Sequence, residues 1–329
     1  MAARHPALTR AVAPQVGAGF SPFVGAGFSS PVGAGFSRPI LAFLVALVVC
    51  GGVMRGVAAP PQSRPVRIVS AVPSATEMLF AIGAGREVVA VSSFDSYPPE
   101  VATLPRVGGL LDPDIERIFA LKPDLVIVYA TMSDLGTQLA RAGIPTFEYT
   151  HGGLADVTAT LRALGARVGR AGEAERAARA IEDRLENLRR TVAGRPRPRT
   201  LVVMGRDPFT LRNIYASGGV GFLHDMLEAA GGADVFADVR RENVQATSEL
   251  VLARAPDVIL ELRGEFGSVP PSEVDRDRQA WQALPSVPAV RTGRVYVLTG
   301  ASFVVPGPRV ADAVERIART LHPEAFRER

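Results

Sequence analysis

Cysteine is almost missing from this chain of 329 residues: Cys50 is the single one, in an apolar stretch near the amino terminus. The body therefore builds no internal disulfide, no thiolate nucleophile and no cysteine-ligated cluster. Lysine is equally scarce. Lys122 stands alone among 37 basic residues, so arginine is a compositional habit and a lone arginine carries little functional weight. Four histidines occur, His5, His151, His224 and His322, without an HxxxH or HxH spacing, which argues against a preformed metal site. No GxSxG nucleophile elbow is present, and VGAGF near the start lacks the preceding strand of a dinucleotide fingerprint. An excess of one charge is missing too. The formal +4 comes from Arg4, Arg10, Arg38 and Arg55, which share residues 1–59 with no acidic residue; the remainder holds 33 basic and 33 acidic residues. No nucleic-acid partner is expected from that balance.

What is present begins with a leader. Three octads, VGAGFSPF, VGAGFSSP and VGAGFSRP, repeat from Val16 to Pro39 and are too rich in glycine to form a core, so residues 1–39 are expected to be a disordered extension. Residues 40–59 carry the run ILAFLVALVVCGGVM with Arg38 before it and Ala58-Ala59 behind it. That run suits a secretory signal peptide; lipidation at Cys50 and retention as a membrane anchor stay open. All three place the body outside the cytoplasmic membrane.

One pattern occurs twice, 133 residues apart: IERIFALKPDLVI from Ile115 and SELVLARAPDVIL from Ser248. In each, a glutamate (Glu116, Glu249) opens an apolar helical stretch, and Pro-Asp follows seven residues later (Pro123-Asp124, Pro256-Asp257) before a β-branched run. Each copy reads as a helix stopped by proline and followed by a buried strand. Strands are predicted over 66–70, 88–91, 125–128 and 146–149, then over 200–204, 257–261 and 294–298. Helices fall between them, including 74–82, 134–142, 219–230 and 309–321. This alternation predicts α/β lobes with parallel sheets, which bind ligands outside the carboxyl ends of their strands. Between the copies, Ala174, Ala177, Ile181, Leu185, Leu188 and Val192 recur at helical spacing. One long rigid helix over 171–195 is thus expected to bridge a lobe over 66–170 and a lobe over 199–325. Ser217-Gly218-Gly219 reads as a helix opening, either a plain cap or an anion cradle.

The segments RIVSAVPSATEMLFAIG (67–83), SYPPE (96–100), LPRVGG (104–109), ALKPDLVI (120–127) and LPSVPAVRTGRVYVL (284–298) resemble the class III periplasmic binding proteins. These are the substrate receptors of ABC importers for cobalamin, ferric siderophores and haem. The similarity runs from about Arg67 to about Leu321, and SSFDSYPPE with the run from Glu249 to Pro256 is closest to the cobalamin-binding branch. The resemblance implies two Rossmann-like lobes bridged by one rigid helix, and no enzyme activity. Its implied ligand is cobalamin or a related corrinoid, with a ferric siderophore or haem as the alternative, and no resident cofactor or metal. The implied partners are an ABC permease and its ATPase, with Glu116 and Glu249 as docking points on a monomeric receptor. By position it assigns Phe94, Tyr129 and Phe209 to the cleft, and Tyr97, Tyr215 and Phe303 to nearby loops. Leu110 and Asn243 stand where the cobalamin branch carries tryptophans. Arg206 and Arg309 are further candidates, for ligand carboxylates or phosphates. Two rivals of other classes are a tetrapyrrole-type enzyme, which would need the missing cysteines, and a membrane-anchored sensor on the same scaffold.

Overall fold

The central strands of both sheets are buried on both faces, and alternate residues enter different clusters. The computed structural model describes residues 64–264 and 270–327; the expected extension and leader over 1–59 lie outside them. The first lobe runs β1 (Ile68–Ser70), α1 (Pro73–Ala81), β2 (Val88–Val91), α2 (Ile115–Ala120), β3 (Leu125–Tyr129), α3 (Ser133–Arg141), β4 (Thr146–Tyr149) and α4 (Leu154–Arg167). Its four strands are parallel in the order β2-β1-β3-β4. Ile68, Leu125 and Ile127 enter one buried cluster, and their alternates Val69, Val126 and Val128 enter another on the opposite face.

Next comes α5 (Ala171–Val192), the expected bridge, followed by the second lobe: β5 (Arg199–Gly205), β6 (Ile214–Ser217), α6 (Phe222–Ala229), β7 (Ala233–Asp234), β8 (Asn243–Ala246), α7 (Ser248–Arg254), β9 (Val258–Arg263), α8 (Pro271–Ala280), α9 (Pro288–Arg291), β10 (Val295–Thr299) and α10 (Val310–Leu321). This sheet is not the parallel one expected. Its order is β10-β9-β5-β6-β8, with β7 beside β5, and β6 runs antiparallel to both neighbours. The link from β5 to β6 spans only residues 206–213, long enough for a hairpin and too short for the crossover a parallel pair requires. IYAS and NVQA, four residues each, are too short and polar for pattern to reveal as strands.

The bridge is stiff for a packing reason. Twenty-two helical residues span about 33 Å. Its amino half lies on α4, where a Cβ at Gly165 would fall 2.2 Å from that of Ala174, so glycine permits the close approach. Arg162 of α4 pairs with Glu175 and Glu182, and farther along Arg184 pairs with Asp312 and Glu315 of α10. One buried cluster holds Leu125 of the first sheet, Leu161 of α4, Ile181 and Leu185 of α5, Val314 and Ile317 of α10, and Leu260 of the second sheet. Wide hinge motion would open that shared core to water.

The duplicated pattern is a staple that reaches further than the sequence shows. Lys122 and Ala255 both have positive φ, 47° and 44°, and each immediately precedes the Pro-Asp pair. The Asp124 carboxylate accepts from the backbone N–H groups of Val66 and Arg67, at 2.9 Å each; that of Asp257 accepts from Arg199 N–H at 3.2 Å. The arginines answer. Arg67 donates to the Leu121 and Lys122 carbonyls and Arg199 to the Arg254 carbonyl, covering the carboxyl ends of α2 and α7. Each helix is thereby tied to the strand that starts its lobe. Asp124→Ala is expected to cost about 1–2 kcal/mol in chemical denaturation, and Asp257→Ala less, because it loses one backbone donor rather than two. Equal or reversed losses would refute the staple.

Candidate functional site

The carboxyl ends of the two sheets face each other, as contacts at two places show. Glu77 on α1, beyond β1, is held bidentately by Arg309, the residue before α10 and beyond β10; Arg309 Nε lies 2.9 Å from Oε2, and Nη2 bonds Oε1. The same guanidinium lies 4.0 Å from the centre of the Tyr97 ring, in the loop beyond β2. At the second place the Leu154 N–H donates to Asp225 Oδ2 at 2.9 Å, and His151, beyond β4, meets Phe222 of α6 edge-on with ring centres 6.2 Å apart. Burial lowers the imidazole pKa of His151. Both contacts cross between lobes, and the loops beyond β1, β2, β4 and β10 take part in them, where a ligand of such sheets would lie. Arg309 is therefore a structural bridge, with its Nε and Nη2 donors engaged by Glu77.

From the first lobe, Phe94 stands 53% exposed. A Cβ on Gly109 would fall 2.4 Å from its ring, so only glycine leaves it this seat. The loop is fixed from below. Asp95 accepts from the Ser92 N–H (2.9 Å) and hydroxyl (2.6 Å), and Arg106 donates to the Ser92, Asp95 and Val101 carbonyls. Burial pushes the Asp95 carboxyl up to about 6, against the opposing Ser92 bonds. Tyr129, half-buried at the end of β3, meets Tyr149 edge-on at 5.6 Å, and burial raises its phenol pKa. Leu110 is half-buried. It packs on the outer cluster with Val107 and Ile118, while its neighbour Leu111 is 84% exposed. Pattern alone does not tell which of two adjacent leucines in a turn faces water.

From the second lobe, Phe209 occupies the β5–β6 loop with φ +58° and 38% exposure. The left-handed backbone is imposed by its surroundings: Asp207 N–H donates to the Arg212 carbonyl, and Asn213 Nδ2 to the Asp207 carboxylate. Arg206 is a correction. Its side chain is 2% exposed and its donors are consumed by Glu261, Asp277 and the Thr210 carbonyl, so it supports the Phe209 loop from beneath and is closed to ligand. Trp281 Nε1 donates to the same Glu261, whose carboxyl pKa burial raises and Arg206 opposes. Phe303 is a second correction, with 0% exposure in the core and Arg316 over its ring. Tyr215 is half-buried opposite Gly205, at the cleft end of β5. Asn243 pairs with Ser217, two ladder positions farther from that end. The Ser217-Gly218-Gly219 run opens no helix: Ser217 ends β6, Gly218 and Gly219 donate to the Glu242 and Val239 carbonyls, and α6 starts at Phe222.

A model of the periplasmic binding protein family matches residues 68–301. The chain belongs to this family. A vitamin B12-binding protein of Salmonella typhimurium is 30% identical over 257 residues, 78% of this chain and 90% of that protein. The crystal structure of the periplasmic vitamin B12 binding protein of Vibrio cholerae superposes with a TM-score of 0.67 at 28% identity, covering 80% of this chain and 99% of that one. A periplasmic heme-binding protein from Roseiflexus superposes with a TM-score of 0.67 at 27% identity, covering 79% and 98%. In this periplasmic binding protein Glu116 and Glu249 are both exposed, each second in its helix. Each follows a capping side chain: Asp114 accepts from Arg117 N–H at 2.9 Å and Thr247 from Leu250 N–H at 3.3 Å. Among the described residues neither glutamate has a cationic partner. The Glu249 carboxyl is held below its ordinary range, chiefly by its own backbone N–H and then by the Thr247 hydroxyl. A hollow of about 330 Å³ lined by Phe147, Glu148, His151 and Asp156 lies along β4 and α4; Phe94 and Phe209 take no part in it.

Proposed function

We propose that the protein is the extracytoplasmic receptor of an ABC importer, capturing cobalamin or a related corrinoid between its lobes and passing it to the permease and its ATPase. One observation carries the ligand class. Each lobe offers an exposed aromatic, Phe94 and Phe209, at strand ends that face each other. Two such rings suit a broad, flat ligand, since aromatic faces stack without ordering many torsions. The two B12-binding relatives favour a corrinoid. The heme-binding neighbour favours a second reading, haem or a ferric chelate. The chelate is cargo, and the protein does no chemistry on it. Glu116 and Glu249 dock the permease. They are held on staples of the same design in the two lobes, and two separated carboxylates define an orientation that one does not. The test is calorimetric titration of the purified protein with cyanocobalamin, haemin and a ferric siderophore. Cyanocobalamin is expected to bind with a Kd on the order of 10 µM or tighter. No signal from any corrinoid in that range would leave the ferric-chelate reading.

A further inference from the structure

Among the described residues three arginines meet the cleft aromatics or support them, and two of these already hold carboxylates of the protein. Arg206 is spent on Glu261 and Asp277. Arg309 lies 4.0 Å from the centre of the Tyr97 ring and donates from Nε and Nη2 to the Glu77 carboxylate. Arg276 of α8 repeats half of that second arrangement: its guanidinium lies 3.8 Å from the centre of the Phe209 ring. Stacking uses the face of the guanidinium and leaves the in-plane N–H donors for an acceptor. Among the described residues no carboxylate takes them. Neighbouring acids are engaged elsewhere, Asp275 by Arg278 and Asp277 by Arg206 and Arg263. Arg276 itself is exposed, so the donors are open to a ligand lying on Phe209.

We propose that Arg276 reads an anionic group on the cargo, a carboxylate or a phosphate, while the flat body of the cargo lies against Phe209. The inference rests on the chelate-binding cleft proposed above and adds the charge its ligand must carry. Planar, bidentate pairing with such a group is what a guanidinium does better than an ammonium. Arg276 thus supplies the cleft with a fixed cation, and a chelate lacking an anionic substituent at that distance from its ring face is discriminated against.

The test uses matched pairs of probes with the purified full-length protein and its Arg276→Gln variant. Haemin carries two carboxylates and its dimethyl ester none; cyanocobalamin carries one phosphodiester and dicyanocobinamide lacks it. Arg276→Gln is expected to weaken the anionic member of one pair about 10-fold or more and the neutral member less than about twofold. The pair that responds tells carboxylate from phosphate. Equal losses for both members of each pair would reduce Arg276 to a support for Phe209 and overturn the proposal. Unchanged binding of every probe by the variant would overturn it too, with the receptor reading intact. Failure of the wild-type protein to bind any probe would sink both.

Discussion

Cells whose only copy carries Glu116→Ala and Glu249→Ala together are expected to lose at least about 10-fold in uptake of the cargo, while the purified variant keeps the wild-type ligand Kd within about twofold. The separation of effects follows from geometry. Both glutamates are exposed on α2 and α7, and neither is bonded to a cleft residue. An ion pair left in water contributes only about 0–1 kcal/mol, so each single substitution should cost uptake a few-fold at most. Two such pairs, one from each lobe, fix the orientation of the docked receptor as well as adding their separate strengths. Removing one glutamate from each lobe takes away both reference points. Uptake that survives the double substitution, or a ligand Kd that rises in step with its loss, would end the docking role. The remaining alternative is local. An acid in the first turn complements the helix dipole, and then the double variant would lose only stability.

Glu77→Ala is expected to lower global stability by about 3–5 kcal/mol, measured by denaturant unfolding. The Glu77 side chain is 5% exposed and accepts two Arg309 hydrogen bonds across the lobes, from Nε and Nη2. Burial raises its carboxyl pKa above the ordinary range, with the Arg309 bonds opposing. Truncation would leave the Arg309 guanidinium largely buried against Tyr97 without a counter-charge. The double substitution Glu77→Ala with Arg309→Leu is expected to recover at least half of the loss, because an apolar pair needs no counter-charge. A loss under about 1 kcal/mol for Glu77→Ala would show that the bridge is replaceable by solvent. Since Tyr97 sits on the same arginine, opening this contact would also release a cleft aromatic.

Much of the frame was legible because it depends on local spacing. The Glu-to-Pro-Asp repeat marks two helix–strand units, and both occur where the pattern puts them. The stripe from Ala174 to Val192 marks α5, with Ala178 rather than Ala177 fully buried. The antiparallel β6 was not legible, since direction is set by loop length and partner, not by the residues of a four-residue strand. The cleft was read less well. Phe94 and Phe209 are exposed, whereas Phe303 and Arg206 are buried, because an aromatic or arginine near a strand end has equal chemical reason to face the interior. Arg67 and Arg199, the answering halves of the staple, had no visible role, because each lies 57 or 58 residues from its aspartate. Arg276 was passed over for a similar reason, its ring partner being on another element.

The sequence by itself determined the two-lobed α/β frame, the helix between the lobes and the matched glutamates. Period, helix stops and repetition are properties of neighbouring residues, and no distant contact is needed to produce them. Only the tertiary structure decided which cations and rings remain available. Arg206, Arg276 and Arg309 are the same residue type. Among the described residues, folding placed carboxylates against the first and third and an aromatic face without a carboxylate against Arg276. A charge is spent or open according to what packs around it, and that is settled by residues far away along the chain.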